Sequence, residues 1–251
     1  MKNARAYVGT SGWNYSQWRA RFYPKELRQA DWLAHYTSHF RSVEVNNTFY
    51  RVPDRETVDL WARDAPSAFR FAVKMWRGVS HFKKLKDCRE HLEKFYLPVA
   101  VLPAGQRGPV LVQLPSNQGK DLPKLDAFLG EFRAVTRPAH WKVAVEFRNG
   151  DWLCPETYHV LDRRRAAICL HDMPPAAVIE PNDASFVYLR RHGPAGDYRH
   201  SYSDRALRED ARRIRRWLEE GRMVFAYFNN DAEACAVSNA RQLKKELADS
   251  E

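Results

Sequence analysis

The sequence predicts a single (β/α)8 barrel spanning residues 1–251. Three observations predict it. Eight short apolar runs recur along the chain: AYVGTS, SVEVN, FRFAVK, VLVQL, VAVEFR, AAICLHD, FVYLRRHG and VFAYFNND. Val, Ile, Phe and Tyr dominate their bodies, as expected of buried strands. Helix-like segments alternate with these runs. Each run also ends abruptly in residues able to do chemistry: Ser11, Glu44 and Asn46, Lys74, Gln113, Glu146 and Arg148, Asp172, Arg190 and His192, and Asn229, Asn230 and Asp231. Buried parallel strands with polar tips describe a closed barrel whose site lies at its C-terminal mouth.

The helical segments follow in order. Residues 29–40 place Trp32, Leu33, Tyr36 and Phe40 at helical spacing. After Pro53, Asp54 is the expected N-cap of a helix through Val58, Leu60 and Trp61. Residues 85–101 carry Leu92, Phe95, Tyr96 and Val99 on one face, and residues 122–135 repeat the pattern with Leu125, Phe128, Leu129 and Phe132. A short helix over 155–162 has proline in its first turn. Residues 203–219 and 233–247 supply the last two. The sixth connection, MPPAAVIEPNDAS, is too short and too rich in proline for a full helix. A doubly wound open sheet is the rival architecture, but eight evenly spaced strands favour closure.

Composition narrows the class. Hydrophobic residues make up 44% and charged residues 29%, which suits a soluble globular chain. No apolar run approaches the roughly 18 residues of a membrane helix, and the first residues lack the apolar core of a signal peptide. A cytoplasmic protein with no membrane association is therefore expected. Cys88, Cys154, Cys169 and Cys235 form no C-x-x-C pair, so zinc-finger and thioredoxin-like readings fail on spacing. Reduced thiols are expected. The net charge of +10 favours anionic partners, an anionic small molecule or nucleic acid, without identifying one. Clusters such as Arg163 to Arg165, or Arg208 to Arg216, read first as solvated helix faces.

Side chains two apart on a strand share a face, so Glu44 with Asn46, Glu146 with Arg148, and Arg190 with His192 point together into the lumen. Buried charges are costly unless paired. A self-satisfied ion network, such as Glu146 with Arg190 and Glu44 with Lys74, is the structural alternative to a reactive site. If Cys169 faces the helix layer, His171 does too and Asp172 faces the lumen. His81, in GVSHFKKL, falls in the loop after the third strand. His192 sits in RRHGPAGDY, where glycines shape a tight loop.

No cofactor motif is present: G-x-x-x-x-G-K-[ST], G-x-G-x-x-G and G-x-S-x-G are all absent. The GTSG run can bring backbone N–H groups close to an anion. A divalent metal would need a mixed set from Glu44, Glu146, Asp172, His192 and Asp231. No fixed ligand spacing supports that, and Lys74, Arg148 and Arg190 at the same mouth oppose a dication. A phosphate or carboxylate ligand suits those cations at least as well.

The motifs GTSGWNYSQWRARFYP, VEVNNTFYRVP, FRFAVK with SHFKKL, VLVQLP, VEFRNGDW, YLRRHG, YFNND and AVSNARQL occur in that order. Together they resemble the YecE-like family, domain of unknown function 72, over nearly the whole chain. The resemblance implies a TIM-type barrel and supplies no activity. It carries over, motif by motif, Gly12, Trp13, Phe49, Tyr50, His81, Trp152 and Gly193 beside the strand tips already named other than Ser11 and Asp172. Ser80 departs from the threonine usual before the histidine.

Three functions are open to these residues. The favoured one is a hydrolase or lyase acting on a phosphorylated or nucleic-acid-related substrate. Lys74, Arg148 and Arg190 would hold the anion, Glu44 or Glu146 would act as base, and His192 or His81 as acid. Asp172 is a further catalytic candidate. Ser11, Trp13, Asn46, Tyr50, Gln113, Asn229, Asn230 and Asp231 would line the substrate. A second is a glycosidase-like enzyme built on Glu44 and Glu146, with Trp13, Trp18, Tyr50 and Trp76 as aromatic platforms. That reading fails if an arginine bridges the two carboxylates. The third is a non-catalytic module that binds nucleic acid or an anion.

Overall fold

Eight parallel strands run β1 (Ala6–Thr10), β2 (Ser42–Val45), β3 (Arg70–Lys74), β4 (Arg107–Gln113), β5 (Val143–Glu146), β6 (Ala167–His171), β7 (Phe186–Arg191) and β8 (Met223–Phe228). A computed structural model describes residues 5–137, 139 and 141–248. The sheet order is β1-β8-β7-β6-β5-β4-β3-β2. A parallel bridge between Ser11 and Glu44 brings β1 to β2, so the sheet curls into a nearly closed barrel. The helices are α1 (Trp32–His39), α2 (Arg55–Asp64), α3 (Arg89–Val99), α4 (Leu122–Val135), α5 (Pro155–Arg163), α6 (Asp204–Glu219) and α7 (Cys235–Ala248). The expected (β/α)8 barrel is what the chain forms.

The seam between β1 and β2 depends on small residues. The Tyr36 hydroxyl on α1 accepts from the Thr10 N–H and Oγ1, each at 2.9 Å, and donates to the Ser42 carbonyl at 3.1 Å. Gly9 leaves room for that junction, since a Cβ there would lie 2.1 Å from the Ser42 carbonyl oxygen and 2.9 Å from the Tyr36 hydroxyl. The backbone oxygen belongs to a paired strand and cannot retreat. Gly9→Ala is therefore expected to destabilise the barrel by about 1–3 kcal/mol, the usual range for overpacking. Thermal denaturation checks this, and an unchanged Tm would refute it.

Helix starts differ from the sequence expectation where the backbone turns left-handed. Leu85 and Asp87 have φ of 68° and 48°, so α3 begins at Arg89 instead of at residue 85. Glu233 and Ala234 likewise have φ of 55° and 62°, and α7 starts after them at Cys235. Asp54 caps α2 as expected, accepting from the Thr57 N–H at 2.8 Å. Among the described residues no helix lies between β6 and β7. The Asn182 side chain anchors that connection, accepting from the Ile168 N–H at 2.7 Å.

Two cores result. Tyr7, Ala72, Leu111, Ala144, Ala167, Cys169, Phe186, Tyr188, Phe225 and Tyr227 fill the barrel itself. The larger core lies between barrel and helices. Cys169 therefore faces the lumen, and so does His171 two residues on. This corrects the expected parity: Asp172 points away from the lumen, because its strand puts the small residues inward and Ile168 and Leu170 outward.

Much of the positive charge lies at the opposite end from the mouth. Arg5, Arg41, Arg70, Arg107, Lys142, Arg165 and Arg222 begin or closely precede strands. In a (β/α)8 barrel the helix C-termini gather at this end, and cations complement their partial negative charge. Arg107 donates to the Leu102 and Ala100 carbonyls after α3, at 2.7 and 3.1 Å. Lys244 donates to the His39 carbonyl at the end of α1. A cavity of about 590 Å³ also opens here, lined by Arg5, Tyr7, Phe40, Arg41 and Phe69. Among the described residues its lining carries no carboxylate, histidine, lysine or cysteine, so its size does not make it the reactive site. Among the described residues no helix is long and apolar enough to cross a membrane.

Candidate functional site

The strand parity that builds the lumen core continues one step further toward the mouth. Above Ala72 comes Lys74, above Leu111 comes Gln113, above Ala144 come Glu146 and then Arg148, and above Tyr188 come Arg190 and then His192. The structure brings these expected residues together, with Glu44 and Asn46 from β2 and its following turn.

The deepest polar layer is an ion network centred on Arg190. Its Nε and Nη2 donate to Glu44 at 2.9–3.2 Å, and its Nη1 donates to Glu146 Oε2 at 2.7 Å. All three side chains are fully buried. The Tyr188 hydroxyl donates to Glu44 Oε2 at 2.6 Å, and Arg148 Nε donates to Glu146 Oε1. Burial pushes the Glu146 carboxyl up, but the Arg190 and Arg148 guanidiniums together hold it well below the usual carboxylate range. Neither glutamate has a free, solvent-facing oxygen with which to act as base.

This arrangement revises several expected roles. Glu44 pairs with Arg190 and not with Lys74. Arg190 has no face left for a ligand, and Arg148 is engaged by Glu146, His192 and Met173. The arginine bridging Glu44 and Glu146 is the arrangement that rules against the glycosidase pair, because a bridged carboxylate can neither attack nor shuttle a proton. The sequence alternative of an internal ion network thus describes the floor of the mouth.

His192 belongs to that floor. Its Nε2 lies 2.9 Å from Arg190 Nη1 and 3.1 Å from Arg148 Nη2, so it must accept. Its Nδ1 then carries the proton and faces Asp172 Oδ1 at 3.4 Å. Burial and the Arg190 charge push its pKa down to about 4. Asp172 is held in turn by the His192 N–H at 3.0 Å and by the Tyr202 hydroxyl. Asp172 and His192 are therefore both engaged by neighbouring protein groups. Asn230 is also turned away, donating to the His200 carbonyl and to Asn239 Oδ1 at 2.7 and 2.8 Å.

A second layer faces outward. Lys74 Nζ donates to Gln113 Oε1 at 2.8 Å and sits 4.5 Å from the Phe49 ring centroid. His81 packs edge-on against the same ring at 4.9 Å, with Nδ1 on the Ser80 hydroxyl at 2.9 Å. Burial lowers the His81 pKa, and the Lys74 and Arg77 charges lower it further. Tyr50 continues the aromatic run at 5.1 Å from Phe49, and Arg77 lies over Tyr50 at 5.7 Å. Beside this run a cavity of about 260 Å³ is lined by Trp13, Tyr15, Asn46 and Tyr50. Trp13 packs edge-on against Trp61 at 5.7 Å. Asn46 Oδ1 and Ser11 Oγ are buried without a hydrogen-bond partner. Asn46 Nδ2 reaches Asn229 Oδ1 at 3.4 Å. Burial raises the Asp231 carboxyl, to which Gln17 donates at 3.5 Å.

Sequence reasoning missed Arg77, Tyr15 and Tyr188. Tyr188 was hidden within an apolar run, and Arg77 and Tyr15 lie in loops with no periodic signal. Among the described residues no group of three or more His, Cys, Asp and Glu is placed to hold a metal ion.

The chain matches a family model described as a protein of unknown function, DUF72, over residues 7–251. A DUF72 family protein of Thermotoga maritima has a similar solved structure, with 27% identity and a TM-score of 0.84 over 97% of this chain and 99% of that one. A DUF72 family protein of Enterococcus faecalis is similar in fold, at 20% identity and a TM-score of 0.81 over 96% of this chain and 95% of that one. The UPF0759 protein YunF of Bacillus subtilis is 24% identical, covering 94% of this chain and 93% of its own.

Proposed function

The chain belongs to the DUF72 family of proteins of unknown function, and we propose that it is an enzyme, a hydrolase or lyase, acting on a phosphorylated or nucleic-acid-related substrate at the barrel mouth. One observation supports this above the others. The floor consumes Glu44, Glu146, Arg190, Arg148 and His192 in contacts with one another, whereas Lys74, His81 and Arg77 stand around Phe49 and Tyr50 with protons and lone pairs still available. Arg77 has no carboxylate within 4.0 Å among the described residues and is the anion anchor in this reading. His81, neutral near pH 7, is the general acid–base group. The orphaned Asn46 and Ser11 oxygens receive hydrogen bonds from the uncharged part of the substrate. Asp231 closes the far side of the mouth and favours a neutral or donor-bearing group there.

Turnover of abasic DNA, RNA, phosphodiester dyes and phosphate monoesters, together with calorimetric titration of inorganic phosphate, tests the reading. His81→Asn is expected to lower turnover by about 10²–10⁴-fold with the fold intact, the usual worth of one acid–base group. Arg77→Ala is expected to weaken phosphate binding about tenfold. No turnover of any of these substrates and no phosphate binding would remove the proposal.

A further inference from the structure

We propose that Lys74 is a nucleophile that forms an imine with an aldehyde or ketone carbonyl of the substrate. The inference rests on the reading above for one point, that the substrate is anionic, and it selects carbon–oxygen double bonds as the reacting class.

Three features of its surroundings carry it. Lys74 sits at the C-terminal tip of β3 on the lumen face, directly above Ala72. Its partner is an amide, Gln113 Oε1 at 2.8 Å, and the Phe49 ring packs beneath it at 4.5 Å. Among the described residues no carboxylate oxygen lies within 4.0 Å of Nζ. Glu44 and Glu146 are both close enough to influence it, yet both are bound by arginines. Arginine cannot be deprotonated in a protein, so it fixes those acids permanently. Of Lys74, Arg148 and Arg190, the lysine, which can lose its proton, is the one left without an acid among the described residues. A lysine needed only for charge balance would sit against a carboxylate.

The electrostatics agree with the geometry. Burial and the neighbouring Arg190 bring the Lys74 amine down to about 8, so a useful fraction is free base near neutral pH. Desolvation and a nearby cation are the known means of activating an amine nucleophile. The steps balance without an oxidant or reductant. The ammonium first gives one proton to water, which later returns it to the carbinolamine hydroxyl. The freed Nζ lone pair attacks the carbonyl carbon, and a second proton moves through His81 from nitrogen to the new alkoxide. His81 packs against the same Phe49 ring and is close enough to feel the Lys74 charge. The carbinolamine hydroxyl then takes a proton and leaves as water. Ammonium plus carbonyl thus become protonated imine plus water.

Reductive trapping tests this on the full chain. The protein is incubated with pyridoxal 5′-phosphate and sodium cyanoborohydride at pH 8, and the adduct is located by peptide mass mapping. The expected result is labelling of Lys74 at least tenfold faster than of exposed lysines such as Lys25 and Lys83. The labelling rate should rise with pH to a midpoint near 8. Lys74→Arg should abolish the fast adduct. The mapping on unaltered protein stands even if that variant folds poorly. Labelling of Lys74 no faster than Lys25 overturns the inference. If phosphate still binds in an Arg77-dependent way, the imine alone is wrong; if phosphate binding is also absent, the substrate class is wrong as well.

Discussion

Arg190→Met is expected to destabilise the protein by about 3–5 kcal/mol, the usual cost of removing one partner from a buried ionic network. Arg190 lies between Glu44 and Glu146 with no exposed surface, and it is the shared donor to both. Methionine fills similar volume, so little of the loss comes from packing. What remains is two buried carboxylates. Glu146 keeps Arg148, and Glu44 keeps the Tyr188 hydroxyl, which is neutral. Glu44 therefore bears most of the penalty. A specific rescue is expected: adding Glu44→Gln to Arg190→Met removes the stranded charge and still offers the Tyr188 hydroxyl an acceptor oxygen. It should recover more stability than adding Glu146→Gln. Urea denaturation of the four proteins measures this. A loss below about 1 kcal/mol for Arg190→Met, or equal rescue by both glutamines, would contradict the network as described.

The same residues show what a sequence can and cannot disclose about such a site. Period-two alternation placed Glu44, Glu146 and Arg190 in one lumen, because the parity of a strand is fixed by its backbone. It could not tell which cation meets which acid. The forked guanidinium on β7 reaches acids on both β2 and β5, whereas Lys74 is held aside by Gln113 on β4. That choice depends on side-chain reach across the barrel, which no local pattern encodes. Parity itself failed at β6. All five of its residues are buried, so no polar alternation marked the inner face. The signal was size: Ala167 and Cys169 fit the lumen, and Ile168 and Leu170 fill the space under the helices. Arg77 had no such signal. It joins the site because the turn after β3 folds back over Tyr50.

Acid should destabilise the barrel well before its carboxylates titrate, and His192 is the main reason. Its folded pKa is lowered from 6.5 to about 4 by burial and by Arg190, while Asp172 opposes the shift. The unfolded chain binds a proton at this residue near pH 6.5, and the folded chain does so only near 4. Between those values the unfolded state holds more protons, so stability falls as pH falls. At about 1.4 kcal/mol per pH unit, the interval is worth about 3 kcal/mol. His171 acts in the same direction. It is buried at the tip of β6, its pKa is lowered, and its Nε2 lies 2.9 Å from the Phe147 carbonyl. The two arginines on Nε2 explain why the His192 shift cannot be avoided: a protonated ring would aim a third N–H at donors that have nothing to give back. Glutamine can accept from the same arginines through its carbonyl and does not titrate. Unfolding free energy followed from pH 7 to 5 should therefore fall steeply in the native protein and less steeply in His192→Gln. Equal slopes, or an imidazole resonance of His192 titrating near 6.5, would show that the ring is not held neutral by the arginine floor.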